Sequence, residues 1–549
     1  MAERRTGKRF IVWAALAGVI SGAVFLAVAE LFALLVARAA SPILAVGGFV
    51  IDIVPQPFKE FAIATFGEYD KIVLLAGLGL AVVIASAIAG ILQLVRAPLG
   101  VIALGIAGVL STAAIVTRAG VTPLAFLPPV LGTIGGAVIL ALLVRRLRRW
   151  RESALSAPAP KAKPVTEPST PPITKPSPTD MPRTDKPRTD EGAGIGRRGF
   201  FGLAAIAGIS AVVVGVASRT VSMTVSSVES IRKTLRLPSP GSTVTVPAGA
   251  ELDVPGISPL FTPNKDFYRV DTALTVPTID PDTWRLVIDG MVDERVEMSF
   301  QDILDMGLDE YAITLTCVSN EVGGELVGNA MWLGVPIREV LKKAGVKSGA
   351  DMVLSRSVDG YTASTPLSAL TDDNLDAILA VAMNGEPLPL EHGFPVRMVV
   401  PGLYGYVSAT KWLTELKVTT FADDEAYWTP RGYSAEAPIK FSSRVDTPKL
   451  GAAIEAGRTP IAGVAWAQSV GIERVEVSID NGEWMPATLS TPINDDTWVQ
   501  WFMDWDATPG THYVAVRAVN KNGDLQIEER AAIAPNGSSG WQRSLIRVN

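Results

Sequence analysis

Among 549 residues there is one cysteine, Cys317, and there are two histidines, His392 and His512. A lone cysteine excludes an internal disulfide framework. No histidine precedes His392, so the apolar amino-terminal half holds neither a bis-histidine haem nor a histidine-rich zinc or copper site. Charge is also sparse. Only 19% of residues are charged, the net charge is −6, and no basic stripe crosses the less apolar half. That balance argues against a nucleic-acid binder.

What is plentiful is apolar, and it is concentrated. Hydrophobic residues make up 48% of the chain, and residues 10–144 are almost continuously apolar. A membrane span needs about 20 mostly apolar residues, and four stretches qualify, at roughly 10–37, 72–95, 98–117 and 122–144. Residues 43–66 are apolar too, but carry Asp52, Pro55, Pro57, Lys59 and Glu60. They read as an extracytoplasmic loop with an interfacial segment, with a further span as the alternative. Basic flanks test the count. Arg4, Arg5, Lys8 and Arg9 put the amino terminus in the cytoplasm, and four spans return the chain there at Arg145, Arg146, Arg148, Arg149 and Arg151. Five spans would leave that arginine cluster outside.

The chain therefore reads as multidomain, beginning with an all-α, four-helix transmembrane region over 1–150. Residues 151–196 form a cytoplasmic linker in which ten prolines fall between Pro158 and Pro187. Such a composition buries too little apolar surface to fold. Residues 197–220 open with Arg197-Arg198-Gly199-Phe200-Phe201 and continue apolar. Two readings stand: a twin-arginine-type signal retained as an anchor, or the basic flank of an ordinary fifth span. Both put the rest of the chain on the extracytoplasmic side of the cell membrane. Residues 245–445 mix short strands and helices. Residues 450–549 are strand-like, with Arg474–Asp480 alternating into Asn481-Gly482 and a second turn at Asn522-Gly523, as in an immunoglobulin-like sandwich.

Two segments carry chemistry. Ala312–Cys317 is a β-like run ending at the cysteine, followed by Val318-Ser319-Asn320 and, shortly after, Gly323-Gly324. Alone, a cysteine after a strand is more often a small buried apolar residue. The second segment runs from Met383 through Asn384-Gly385-Glu386-Pro387-Leu388-Pro389-Leu390-Glu391-His392-Gly393-Phe394-Pro395-Val396-Arg397 to Pro401-Gly402, then through Tyr404-Gly405-Tyr406 to Lys411-Trp412. Arg397 lies between apolar triplets, as on a buried strand, and a buried arginine needs a fixed anion. Its planar fork suits phosphate, and Lys411 offers a point charge. His392 has an imidazole nitrogen to donate, and Gly402 and Gly405 let backbone amides approach an anion.

In order and spacing this second segment resembles the sulfite oxidase family of molybdoenzymes, over about 250–549. The resemblance implies a mixed α+β molybdopterin domain followed by a dimerisation domain, and hence a possible homodimer. It implies a molybdenum–molybdopterin cofactor whose metal is ligated by Cys317, a soft thiolate suited to such metals. It also implies Asn264, His392, Arg397 and Lys411 as cofactor contacts and Tyr433 as an active-site tyrosine able to pass a proton. The haem domain of animal sulfite oxidases has no counterpart, so no haem is expected and electrons pass to or from a separate partner or a quinone.

The departures bear on substrate. Where sulfite oxidases follow the ligand cysteine with oxyanion-binding arginines, this chain has Glu321-Val322. Where they carry Arg-Asn-His in the leading loop, it has Pro263-Asn264-Lys265. Sulfoxides (oxidised methionine included) and N-oxides thus come before sulfite. Two other classes compete with a molybdopterin oxidoreductase: a non-catalytic, membrane-tethered binding or assembly protein, and a transporter. A scaffold has no use for a thiolate beside a phosphate-binding arginine. A transporter usually shows intramembrane ionisable groups, and these spans hold little beyond Glu30.

Overall fold

The computed structural model describes residues 2–36, 42–54, 58, 65–66, 70–116, 124–156, 202, 205, 228–449, 451 and 453–549. They fall into two compact units, Met1–Val221 and Ser222–Asn549. The linker after residue 156 and, apart from residues 202 and 205, the 197–220 segment with its arginine pair lie outside the described residues.

The first unit is helical: α1 (Ala2–Val36), α2 (Pro42–Ile53), α3 (Asp70–Val95), α4 (Leu99–Val116) and α5 (Leu127–Ser156). Four helices are long and apolar enough to cross a membrane, over Arg9–Ala33, Ile72–Val95, Leu99–Val116 and Leu127–Ser153. They match the four stretches read from the sequence. The helix α2, with 12 residues, extends only about 18 Å, short of a bilayer core, and it occupies the start of the 43–66 segment. Backbones approach closely where α1 meets α3. A Cβ on Gly18 would come within 2.8 Å of the Gly90 nitrogen, a contact that only glycine admits. Between α3 and α4, Gln93 Oε1 accepts from the Gly100 and Val101 amides at 3.1 and 3.2 Å, and Arg148 Nη2 donates to the Leu94 carbonyl at 3.1 Å. These bonds satisfy helix-end groups that lipid would leave bare.

The second unit contains two sheets followed by a β-rich lobe. Its first ten strands are β1 (Arg285–Gly290), β2 (Val296–Ser299), β3 (Asp309–Thr316), β4 (Val327–Pro336), β5 (Met352–Ser357), β6 (Thr362–Pro366), β7 (Ile378–Met383), β8 (Glu386–Pro387), β9 (Arg397–Val399) and β10 (Leu413–Thr419). One sheet runs β2-β1-β10-β5-β6, with β1 and β10 parallel. The other runs β3-β4-β7-β8, with β9 added to β7. Every residue of β7 is buried. Its alternate side chains feed two cores: Leu379 and Val381 join Leu286, Ile288, Leu416 and Met398, while Ile378 and Ala380 join Ile313, Leu315, Trp332 and Phe394. A continuous apolar run is what a strand covered on both faces requires. Arg397 begins β9 and pairs with Ala380, so its backbone is fixed from within the second core.

The last nine strands are β11 (Ser442–Thr447), β12 (Ala453–Ile454), β13 (Gly457–Trp466), β14 (Ile472–Ile479), β15 (Met485–Pro486), β16 (Thr488–Leu489), β17 (Val499–Ala507), β18 (Gly510–Asn520) and β19 (Gln542–Val548). They form two sheets, β11-β13-β17-β16 and β12-β19-β18-β14-β15, which share one apolar core. A turn follows β14, with Asp480 and Asn481 at φ 54 and 57° and the Gly482 amide donating to the Ile479 carbonyl at 2.9 Å, so its left-handed pair falls one residue before the expected Asn481-Gly482. This lobe grips the strand that leads to Cys317. The Thr314 amide donates to the Asp496 carbonyl at 3.0 Å, the Trp498 amide donates to Thr314 Oγ1 at 2.8 Å, and Gln468 Nε2 donates to the Thr314 carbonyl at 2.8 Å.

Candidate functional site

Cys317 follows directly on β3 and is 8% exposed. Its amide donates to the Leu326 carbonyl at 2.9 Å, closing the loop that returns to β4. Burial pushes the thiol up; bonds from Ser319 and the charge of Lys411 oppose that shift. Beside it, Thr316 Oγ1 is buried with no hydrogen-bond partner. Such a group costs free energy unless something outside the protein satisfies it.

Arg397 is the strongest sign of a bound anion. It is 5% exposed, yet its guanidinium donates only to backbone carbonyls, those of His392 at 3.2 Å and Met398 at 3.3 Å. It also lies over the Trp332 ring at 5.1 Å. Among the described residues it forms no ion pair. Burial pulls its pKa down to about 10. A cation buried without a counter-ion is unfavourable by several kcal/mol, a cost that an anion beside it would offset. Gly393, at φ 110°, sets the spacing: a Cβ there would sit 3.0 Å from the Arg397 Cβ and 3.1 Å from the Lys411 Cβ.

The remaining expected contacts gather around that pair, though not always in the expected roles. Lys411 reaches Asp271 Oδ2 at 2.8 Å and the Glu391 carbonyl at 3.1 Å. Burial draws its pKa down to about 8, against the pull of Asp271, so part of its charge is already answered within the protein. His392 Nε2 lies 3.0 Å from the Asn264 carbonyl, and its ring stands edge-on to Phe267. Burial, followed by the charge of Arg397, lowers the imidazole to about 4. It is therefore neutral at neutral pH. A carbonyl partner requires Nε2 to carry the proton, so Nδ1 is left as an acceptor. The side chain of Asn264 is engaged at both ends, donating to the Met383 carbonyl at 3.2 Å and accepting from Asn384 Nδ2 at 2.8 Å. Tyr433 stands apart from this group. Its ring packs on Trp428 at 5.2 Å and Tyr406 at 5.5 Å, in a cluster that includes Val318.

Sequence reading missed three members. Tyr268 lies where both Cys317 and Arg397 act on its phenol, which burial pushes well up. Asp271 binds Lys411 and also Arg269, the latter at 2.9 Å. Tyr361 is close enough to feel the Cys317 thiolate, and its hydroxyl donates to the Tyr406 carbonyl at 2.7 Å. The available signal was the Phe267-Tyr268-Arg269 run just after Asn264, whose aromatic pair carried no assigned role.

Comparison with known proteins agrees with this chemistry. Residues 273–428 match the family described as the oxidoreductase molybdopterin binding domain. That stretch includes Cys317, His392, Arg397 and Lys411 but not Asn264 or Tyr433. Rat mitochondrial sulfite oxidase is 31% identical over 270 residues, 42% of this chain and 49% of the rat protein. The oxidoreductase YuiH of Bacillus subtilis (strain 168) is 36% identical over 154 residues, 28% of this chain and 74% of YuiH. The crystal structure of the sulfane dehydrogenase SoxCD from Paracoccus pantotrophus superposes with a TM-score of 0.47 at 22% identity, over 56% of this chain and 88% of that one. The chain thus spans about half the length of the mammalian sulfite oxidases it matches.

Proposed function

Because the chain belongs to the sulfite oxidase family of molybdopterin-dependent oxidoreductases, we propose that it is a membrane-anchored enzyme with an extracytoplasmic molybdenum centre ligated by Cys317. The observation that carries this reading is Arg397, a buried guanidinium with no carboxylate partner, on the same fold as a buried thiol and an unsatisfied hydroxyl. These residues fit a soft metal whose organic ligand ends in a phosphate. Arg397 holds the phosphate. Lys411, steadied by Asp271, adds positive potential. Neutral His392 fixes the loop from Asn264 without adding a competing charge. The Tyr268 hydroxyl, within reach of the charges of both the thiol and the guanidinium, is able to donate to an oxygen there. Tyr433, in the cluster that contains Val318, is the candidate proton carrier.

When bound, the cofactor supplies two-electron oxygen-atom transfer. For a sulfoxide the sulfur–oxygen bond breaks. Two electrons and two protons enter, and a thioether and one water leave. The electrons are supplied by a separate reduced carrier or a quinol. The test is metal analysis of the full chain purified from a host that makes the cofactor. Near-stoichiometric molybdenum is expected, with loss of most of it in Cys317→Ser. Wild-type protein without molybdenum, or a variant that keeps all of it, would overturn the assignment.

A further inference from the structure

Resting on a reaction centre at Cys317, we propose that Tyr361, Tyr406, Tyr427, Trp428 and Tyr433 form a recognition facet that selects uncharged organic oxides with apolar flanks over oxyanions. The chain has nine tyrosines. Six of them, Tyr268, Tyr361, Tyr404, Tyr406, Tyr427 and Tyr433, belong to the surroundings of Cys317 or to the facet. The five facet rings form an unbroken run: Tyr361 to Tyr427 is 5.7 Å, Tyr427 to Trp428 5.2 Å, Trp428 to Tyr433 5.2 Å and Tyr433 to Tyr406 5.5 Å. The inner end lies by the loop after Cys317, where Tyr406 clusters with Val318. The outer end, at Tyr427, Trp428 and Tyr433, is partly open to solvent.

The hydroxyls at the inner end are committed. Tyr361 Oη donates to the Tyr406 carbonyl and Tyr406 Oη to the Ser434 carbonyl, each at 2.7 Å. These two residues therefore present rings to a visitor, not protons. A ring surface favours apolar groups and polarisable sulfur and offers nothing to replace the hydration of an anion. Glu321, an exposed carboxylate, and Val322 follow the thiol. The Lys265 side chain is 84% exposed and lies 3.8 Å from Asp266. Arg431, also exposed, covers the Tyr427 ring at 3.8 Å and donates to that residue's own carbonyl. A dianion approaching along the facet would give up water to ring faces that cannot replace it. A sulfoxide carrying a phenyl group would bury that group against the rings and bring its oxygen toward the centre.

The experiment uses the full chain in detergent, with molybdenum content measured for every preparation. Methyl phenyl sulfoxide and dimethyl sulfoxide are reduced with two equivalents of the one-electron donor reduced viologen per turnover, and sulfite is offered with two equivalents of ferricyanide as the oxidant. Methyl phenyl sulfoxide is expected to have the highest kcat/KM. Trp428→Leu and Tyr427→Leu should each lower that value about 5- to 10-fold, the usual worth of an aromatic contact, and Trp428→Phe should keep most of it. Binding of methyl phenyl sulfide, followed by calorimetry, should weaken in parallel. Molybdenum-replete protein that prefers sulfite, or leucine variants that keep the wild-type preference and sulfide affinity, overturn the facet alone. Wild-type protein lacking molybdenum overturns the reaction centre, and the facet with it.

Discussion

A single guanidinium shows how a fold prepares for a group it does not itself contain. Arg397 is buried among backbone carbonyls and the Trp332 ring, so it is costly in the protein alone and favourable once an anion arrives. Replacing it separates the two effects. Arg397→Met should leave the thermal stability of cofactor-free protein unchanged or raise it, because an apolar side chain of similar length removes an unpaired buried charge. The same variant should retain cofactor about 10- to 100-fold less tightly, the worth of charge-assisted hydrogen bonds of roughly 1.5–3 kcal/mol. Melting curves of the cofactor-free form, together with molybdenum retained after gel filtration, check both halves. A variant that melts far below wild type and keeps its molybdenum would show Arg397 to be a structural cation.

Among the elements, β3 and the lobe that holds it explain what the sequence disclosed and what it hid. The β-like run into Cys317 was legible because β-branched and apolar residues fill it, and residues 312–316 are buried throughout; the turn near Asn481-Gly482 was legible because its chemistry is local. Arg397 was legible because an arginine between two apolar triplets has few places to go. Lys411 was only half legible. It was expected as a free point charge, but a buried ammonium needs a nearby carboxylate, and Asp271 lies 140 positions away in sequence. Of the loop between β18 and β19 only the Asn522-Gly523 turn was legible, and its long-range contacts were not. Ser538 Oγ donates to the Asn320 carbonyl across 218 positions, and a Cβ on Gly537 would lie 2.6 Å from the Tyr404 Cζ. No short-range pattern encodes such contacts. The grip on β3 also has a pH dependence. Asp496, whose carbonyl receives the Thr314 amide, has its carboxyl raised to about 6 by burial. Between about 4 and 6 the folded state therefore holds more protons than the unfolded chain, and stability falls as pH rises through that window. Asp496→Asn should flatten the fall, which is at most about 3 kcal/mol. Denaturant midpoints at pH 4 and pH 7 check this, and an unchanged slope would remove Asp496 from the account.

At the scale of the molecule, four apolar helices and a redox unit are parts of one chain, and the side on which that unit works is a matter of topology. The basic flanks before α1 and at the end of α5 predict a cytoplasmic location for both ends of the bundle. On the proposed reading, a further crossing in the 197–220 segment would export everything after it. An epitope appended after Asn549 should be reached by antibody on intact spheroplasts. Labelling only after permeabilisation would return the redox unit to the cytoplasm.

The clasp from the β18–β19 loop also constrains timing. Cys317 leaves the ribosome more than two hundred residues before Ser538 and Gly537 do, so the contacts of that loop with Asn320 and Tyr404 form only when translation is nearly complete. On the proposed function, insertion of the cofactor into a finished pocket would then be a post-translational event, awaiting the carboxy-terminal lobe. A chain loaded in the cytoplasm and working outside would have to cross the membrane already folded.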